Sequence, residues 1–193
     1  DIALALDISG SMASLDFQPQ NRLEAAKDVI SDFVAERPYD QIGLVVFASN
    51  AFNQSPLTVD DNVLDRMLGH TELATALGIE DGTAIGMGLA NAANMVADSD
   101  AKSKVVILLT DGVNNAGQID PLTAADAAKT LGIKVYTIGM GKTGQVPVPA
   151  QDMFGREQIV MQESSLDEAT LQGIADKTGG RYYRAEDVDG LRK

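Results

Sequence analysis

The chain has 193 residues, 28 acidic against 15 basic, for a net charge of -13, with 45% apolar residues, no Cys and one His. That length predicts one domain with a full core, and the acidic balance argues against nucleic acid, which needs a basic footprint. The missing Cys excludes disulfides, thiolate metal sites and Cys nucleophiles, the single His70 excludes a His-rich zinc site, and no run of ~18 apolar residues exists to span a membrane.

Strand and helix signals alternate along the chain. Ile2 to Leu6 (IALAL) is a short apolar run. Asn21 to Glu36 places Leu23, Ala26, Ile30, Phe33 and Val34 at helical spacing, and Pro38 stops it. Ile42 to Phe47 (IGLVVF) reads as a second buried strand, and Val59 to Leu68 as a short helix. Thr83 to Ala97 is a helix rich in small residues that must pack closely. Lys104 to Thr110 (KVVILLT) is the most strand-like run. Pro121 to Leu131 is a helix with Pro in its first turn, and Ile133 to Ile138 is a strand. Leu166 to Thr178 is a helix closed by Gly179 and Gly180, and Arg181 to Arg184 is the last strand.

Continuously apolar strands separated by helices imply an α/β fold: a doubly wound, mostly parallel sheet covered on both faces. Residues 142–165, which contain Pro147, Pro149 and Gly155, interrupt that rhythm and are expected to form an inserted hairpin. The chain starts abruptly on a strand and ends at GLRK. It is therefore expected to be a single domain, residues 1–193, taken from a longer protein.

Three loops at element ends carry oxygen. Asp7-Ile8-Ser9-Gly10-Ser11 follows the first strand, Asp81-Gly82-Thr83 opens the small-residue helix, and Thr110-Asp111-Gly112 follows KVVILLT. In a doubly wound sheet all three can meet outside the carboxyl ends of the strands. Alternate residues of an extended turn face one way, so Asp7, Ser9 and Ser11 can share a centre. The set offers carboxylates and hydroxyls but no nitrogen or sulfur, which suits magnesium, manganese or calcium. Hydroxyls ligate as neutral donors, so such a cation keeps charge with which to attract an outside anion. Taken singly, each residue is better read as a turn or helix cap, Thr83 as an N-cap among them; the set carries the metal reading.

DISGSM (Asp7 to Met12), DGTAIG (Asp81 to Gly86) and LLTDGVNN (Leu108 to Asn115) resemble the von Willebrand factor type A domain with its metal-ion-dependent adhesion site (MIDAS). The family motif, DxSxS with a distant Thr and a distant Asp, is filled by Asp7, Ser9, Ser11, Thr83 and Asp111. The resemblance implies direct ligation by Ser9 and Ser11, and ligation directly or through water by Thr83 and Asp111. Asp7 would act through water and hydrogen bonds, and an Asp or Glu of a partner protein would take the open position. It implies a divalent-metal-dependent binding module, not an enzyme. DFQPQNRLEAAK (Asp16 to Lys27), DQIGLVVFASNAF (Asp40 to Phe52) and the run Ile107 to Gly141 are similar to the BatA-type bacterial aerotolerance proteins. That likeness implies flanking helices anchored in the inner membrane and a domain facing the periplasm.

Two rival readings stand beside this one. One is a metal-dependent phosphoester hydrolase with Asp7 as nucleophile; it needs a second acid near the metal, and Ile8-Ser9 supplies none. The other is a scaffold with a vestigial site. GMGKTG (Gly139 to Gly144) lacks the spacing of a phosphate-binding loop and reads as a flexible loop. Gly82, Gly86 and Gly88 read as close packing against the sheet, Gly10 as the pivot of a tight turn around the ion, and His70 as a solvated loop residue. Met87, Met95 and Met140 read as core or gap-filling residues.

Overall fold

The computed structural model describes residues 1–192. β1 (Ile2–Asp7) leads through a 3₁₀ turn (Gly10–Ala13) to α1 (Arg22–Ala35), β2 (Ile42–Phe47), β3 (Ala51–Thr58) and α2 (Asp61–Gly69). Then come α3 (Ile85–Ala97), β4 (Val105–Thr110), α4 (Pro121–Thr130) and β5 (Lys134–Met140). β6 (Gly144–Gln151), β7 (Glu157–Ser164), α5 (Glu168–Thr178), β8 (Tyr182–Ala185) and α6 (Val188–Leu191) complete the order.

The main sheet runs β3-β2-β1-β4-β5-β8. All its pairings are parallel except β2 with β3. The apolar runs divide between two cores because successive strand side chains point to opposite faces. Leu4, Leu6, Leu44, Val46 and Leu109 face one side, where Leu23, Ile30 and Val34 of α1 and Leu64 and Leu68 of α2 cover them. Ala3, Ala5, Val45, Phe47, Val106 and Leu108 face the other, under Leu89 and Ala92 of α3, Ala125 of α4 and Ile174 of α5. The central strand presents only alanines on the second face. That lets α3, built of Gly and Ala, approach closely.

The helix starts follow local chemistry. Asn21 accepts from Glu24 N–H, Asp60 from Asn62 and Val63, Asp120 from Thr123, and Asp167 from Thr170, so each fills a free donor in a first turn. Asp60 thus caps α2. α3 is different. Its N-cap is Ala84 and no side chain caps it, so the Thr83 hydroxyl is not spent on the helix.

Most expected elements fall within a few residues of their observed bounds, and 142–165 is a hairpin, seated as a sheet of its own. β3 and α6 were not expected. β3 (AFNQSPLT) is an antiparallel edge strand, mostly half-buried or exposed and interrupted by Pro56, so it carries no apolar run. GMGKTG is not a loop throughout: Gly139 and Met140 end β5 and Gly144 begins β6. His70 is exposed at the end of α2. Met140 is buried, and Met95 packs against the second core.

The expected close packing of the helix glycines is present, though not only against the sheet. A Cβ on Gly88 would meet Phe47 of β2, whereas one on Gly86 would lie 1.9 Å from the carbonyl oxygen of Ile119. The backbone at 119 cannot retreat without moving the start of α4. Gly86→Ala should therefore destabilise the protein by about 1–3 kcal/mol, read as a lower midpoint in urea unfolding; an unchanged midpoint would mean this contact is loose.

Candidate metal centre

β1 and β4 are neighbours, and their crossovers leave toward opposite edges of the sheet: β1 continues to β2 on one side, and β4 to β5 on the other. This is the switch point at which open α/β sheets form crevices. Asp7 ends β1, Asp111 follows β4, and Thr83 stands one residue before the N-cap of α3, so the fold delivers all three loops to one place.

The expected residues converge. Ser9 N–H donates to Asp7 Oδ1 at 2.8 Å, and the Ser9 and Ser11 hydroxyls lie 3.1 Å apart. Ser11 Oγ donates to Asp111 Oδ1 at 2.7 Å. Thr83 is latched to the loop after β4: its N–H donates to Asn115 Oδ1 at 2.8 Å, and its carbonyl accepts from Asn115 N–H at 3.0 Å. Ser11, Thr83 and Asp111 line one cavity of about 180 Å³. Among the described residues no three His, Asp or Glu side chains are placed to share an ion, so a cation here must lean on hydroxyls. The spacing fits that role. Magnesium–oxygen bonds of ~2.0–2.1 Å put neighbouring oxygens of an octahedron ~2.9 Å apart, between the two separations measured around Ser11 Oγ.

Asp7 stands behind the hydroxyls with no exposed surface. Its second oxygen accepts from Thr110 Oγ1 at 2.6 Å. Burial, and then the nearby Asp111 charge, push its carboxyl up from 3.8 to about 7, against the hydrogen bonds from Ser9 and Thr110. Burial also raises Asp111, while Arg22 and Ser11 pull it down.

Arg22 is the residue that sequence reasoning missed. Its side chain is fully buried at the start of α1. Nη1 donates to Asp111 Oδ2 at 2.7 Å, Nε and Nη2 grip both oxygens of Asp16 at 2.8 and 2.6 Å, and Nη2 reaches Ser164 Oγ at 3.2 Å. Burial works against this charge, and the bonds to Asp16 and Asp111 outweigh it, holding the guanidinium above its ordinary value. Gly141 supplies the floor: a Cβ there would fall 2.4 Å from the guanidinium carbon. A basic residue in the first turn of an amphipathic helix looks like a surface residue in sequence. The one hint was Asp16, six residues earlier.

In sequence, Asp81 reads as part of an oxygen-bearing loop, or singly as a turn residue, and is not among the five ligand candidates. Its Oδ1 accepts from Gly10 N–H at 2.8 Å and from Gly82 N–H at 2.9 Å, pinning the serine loop. Gly10 leaves room for that carboxylate, since a Cβ would sit 2.7 Å from Asp81 Oδ2 and displace it. Its backbone angle is not in the left-handed region, so the expected pivot role is replaced by this contact.

A family model for the von Willebrand factor type A domain matches residues 1–193. The chain belongs to that family. This VWA domain is similar in structure to the conserved hypothetical protein BatB of Bacteroides thetaiotaomicron, at 33% identity and a TM-score of 0.83, covering 99% of this chain and 92% of that one. An aerotolerance-related membrane protein of Bacteroides fragilis gives 32% identity and a TM-score of 0.82, covering 99% and 94%. Proximal thread matrix protein 1 of the mussel byssus, solved with a zinc-occupied MIDAS motif, gives 25% identity and a TM-score of 0.71, covering 98% of this chain and 42% of that one. The VWA domain spans 54% and 57% of the first two curated relatives it matches. VWA domains are known for metal-dependent protein interaction.

Two outcomes follow for the VWA domain without a divalent cation. Asp7 titrates near 7 when folded and near 3.8 when unfolded, so its contribution is fully present below the lower value and lost as pH rises through the upper one. Between about pH 5 and pH 8 the wild-type melting temperature should fall relative to that of Asp7→Asn; parallel curves for the two proteins would refute the shift. Arg22→Met leaves Asp16 and Asp111 buried without their partner. It should cost about 3–5 kcal/mol, measured by urea unfolding; a near-neutral effect would mean that the carboxylates find water.

Proposed function

We propose that this domain is a divalent-cation-dependent protein-binding module of a bacterial cell-envelope protein. Ser9, Ser11, Thr83 and Asp111 hold the cation, with Asp7 behind them, and a carboxylate of a partner protein completes the shell. The observation that carries this is the convergence of hydroxyl and carboxylate oxygens around Ser11 Oγ, at 3.1 and 2.7 Å. Magnesium is the proposed ion, with manganese or calcium as substitutes, because every donor is a hard oxygen.

The protein's own groups divide the work. Asp7 fixes the serine loop through Ser9 N–H and supplies negative charge behind the site without offering an open face. Thr110 and Arg22 hold the two carboxylates in place. Asp81 and Asn115 fix the backbones that carry Gly10 and Thr83. The hydrolase reading fares poorly on the same facts, since a nucleophilic Asp7 needs an exposed oxygen and both of its oxygens accept bonds inside the fold. The likeness to an aerotolerance-related membrane protein supports association with a membrane; the inner membrane, with this domain on the periplasmic side, is the proposed location. No helix among the described residues is long and apolar enough to cross a membrane, so anchoring would lie in further parts of the protein.

Adding magnesium or manganese to chelator-treated protein should raise its melting temperature, and Asp111→Ala should abolish the rise. The Ser9→Ala Ser11→Ala double variant should lose both the rise and any chelator-sensitive partner capture. A wild-type protein whose stability ignores both metals would overturn the proposal.

A further inference from the structure

The hairpin beside the site has one closed edge and one open edge. In an antiparallel pair, residues alternate between hydrogen-bonded and non-bonded positions. Pro147 pairs with Met161 and Pro149 with Ile159. Proline has no N–H to give, so these are the non-bonded pairs. The carbonyl of Pro147 confirms it by turning away from β7 to accept from Leu15 N–H at 2.8 Å. The outer edge of β6 is therefore sealed, by two prolines and by the turn before α1.

The same alternation sets the outer edge of β7. The ladder uses Gln158, Val160, Gln162 and Ser164, so the backbone N–H and C=O groups of Glu157, Ile159, Met161 and Glu163 point outward. Among the described residues no further backbone bond uses them. Exposure runs along almost the whole strand, with Ile159 at 65% and Met161 at 60%. Their side chains lie on the face of Pro147 and Pro149, opposite buried Val146 and Val148. Proteins usually blunt such edges with charged side chains, Pro or a covering segment; β7 has no Pro and no cover among the described residues, and its two charges, Glu157 and Glu163, stand toward its ends and leave the middle of the edge open.

This edge leads into the metal centre. Gln162, Glu163 and Ser164 line the same cavity as Ser11, Thr83 and Asp111. At ~3.4 Å per residue, Met161 lies ~10 Å from that end and Ile159 ~17 Å. A row of free donors and acceptors calls for an extended chain with the complementary row. The apolar pair beside it calls for apolar side chains at alternate positions. The end of the row calls for a carboxylate.

Resting on the proposed metal reading, we infer that the partner docks as an added β-strand along β7. Its Asp or Glu sits at the cation, and apolar residues at alternate positions beyond lie beside Met161 and Ile159. The recognised element is thus an extended acidic-then-apolar segment of another protein. Affinity divides between one ionic contact and the backbone ladder.

The test exploits the alternation. Met161→Pro removes an outward N–H but no ladder bond, as Pro147 and Pro149 do across the hairpin, so the fold and the magnesium-induced stabilisation should survive. Random peptides displayed on phage are selected on the magnesium-loaded protein, and the enriched peptides are synthesised and measured by fluorescence anisotropy. The expected result is Asp or Glu followed by alternating apolar residues, with affinity falling at least about tenfold both with chelator and in Met161→Pro. Ile159→Thr Met161→Thr, which keeps the edge and loses the apolar pair, should weaken binding without abolishing it. Peptides that bind Met161→Pro as well as wild type, or a selection that yields none, overturn the inference while the magnesium shift leaves the metal reading standing. So does a dimer in sedimentation that Met161→Pro dissolves, which would assign the edge to a second copy. Absence of the magnesium shift in wild type overturns both.

Discussion

A buried arginine shared between two carboxylates is the constraint on which the site depends. Arg22 spends Nε and Nη2 on Asp16 and Nη1 on Asp111, and its side chain has no contact with solvent. An unpaired charge at that depth would cost several kcal/mol, so neither acid can leave without a penalty. The consequence is geometric. Asp111 hangs from the end of β4 on a loop, yet one oxygen is held by Arg22 and the other faces Ser11. Asp16 also accepts from Lys142 N–H at 3.0 Å, and Arg22 reaches Ser164. The guanidinium therefore ties the serine loop, the end of β4 and both ends of the hairpin around one point.

The sheet supplies the other half of the placement. Parallel strands put all their carboxyl ends on one side, and the order β3-β2-β1-β4-β5-β8 puts the reversal between β1 and β4. Asp7 reaches across that boundary to accept from Thr110. The pairing of β1 with β4 thus holds the two acidic loops side by side before any cation is considered. Small residues then set the depth: Gly86 admits the backbone at Ile119, and Gly10 admits the Asp81 carboxylate.

What was legible in the sequence follows from this division. Buried parallel strands are unbroken apolar runs, so IALAL, IGLVVF and KVVILLT were readable, and with them the positions where their loops begin. The ligand candidates Asp7, Ser9, Ser11 and Asp111 were legible because they stand where such loops begin, and Thr83 because it stands just before the small-residue helix. Arg22 and Asp81 were not, because their meaning lies in pairings across 89 and 71 residues that no local pattern encodes. β3 was invisible for the opposite reason. An edge strand with a single fully buried residue needs neither apolar run nor clean alternation. The hairpin was legible as an excursion, but the unequal character of its two edges depends on register, which Pro147 and Pro149 reveal only once their partners are known.

The charge balance explains how an acidic domain can serve an acidic partner. The net charge of -13 repels a carboxylate at long range, but the Debye length of ~8 Å in physiological salt screens most of that. What matters lies within bonding distance. Arg22 already offsets part of the charge of Asp111 and Asp16, so a dication bound as proposed would face only Asp7 and the remainder of Asp111. Serine and threonine add oxygens without adding charge. A cage of carboxylates would neutralise the ion and leave nothing for a further anion. An ion held as proposed would keep positive charge to share. On the proposed reading the surrounding field would not steer an acidic partner in, so selectivity would fall on short-range features, and the open edge of β7, whose last residues line the same cavity as Ser11 and Asp111, is placed to supply them.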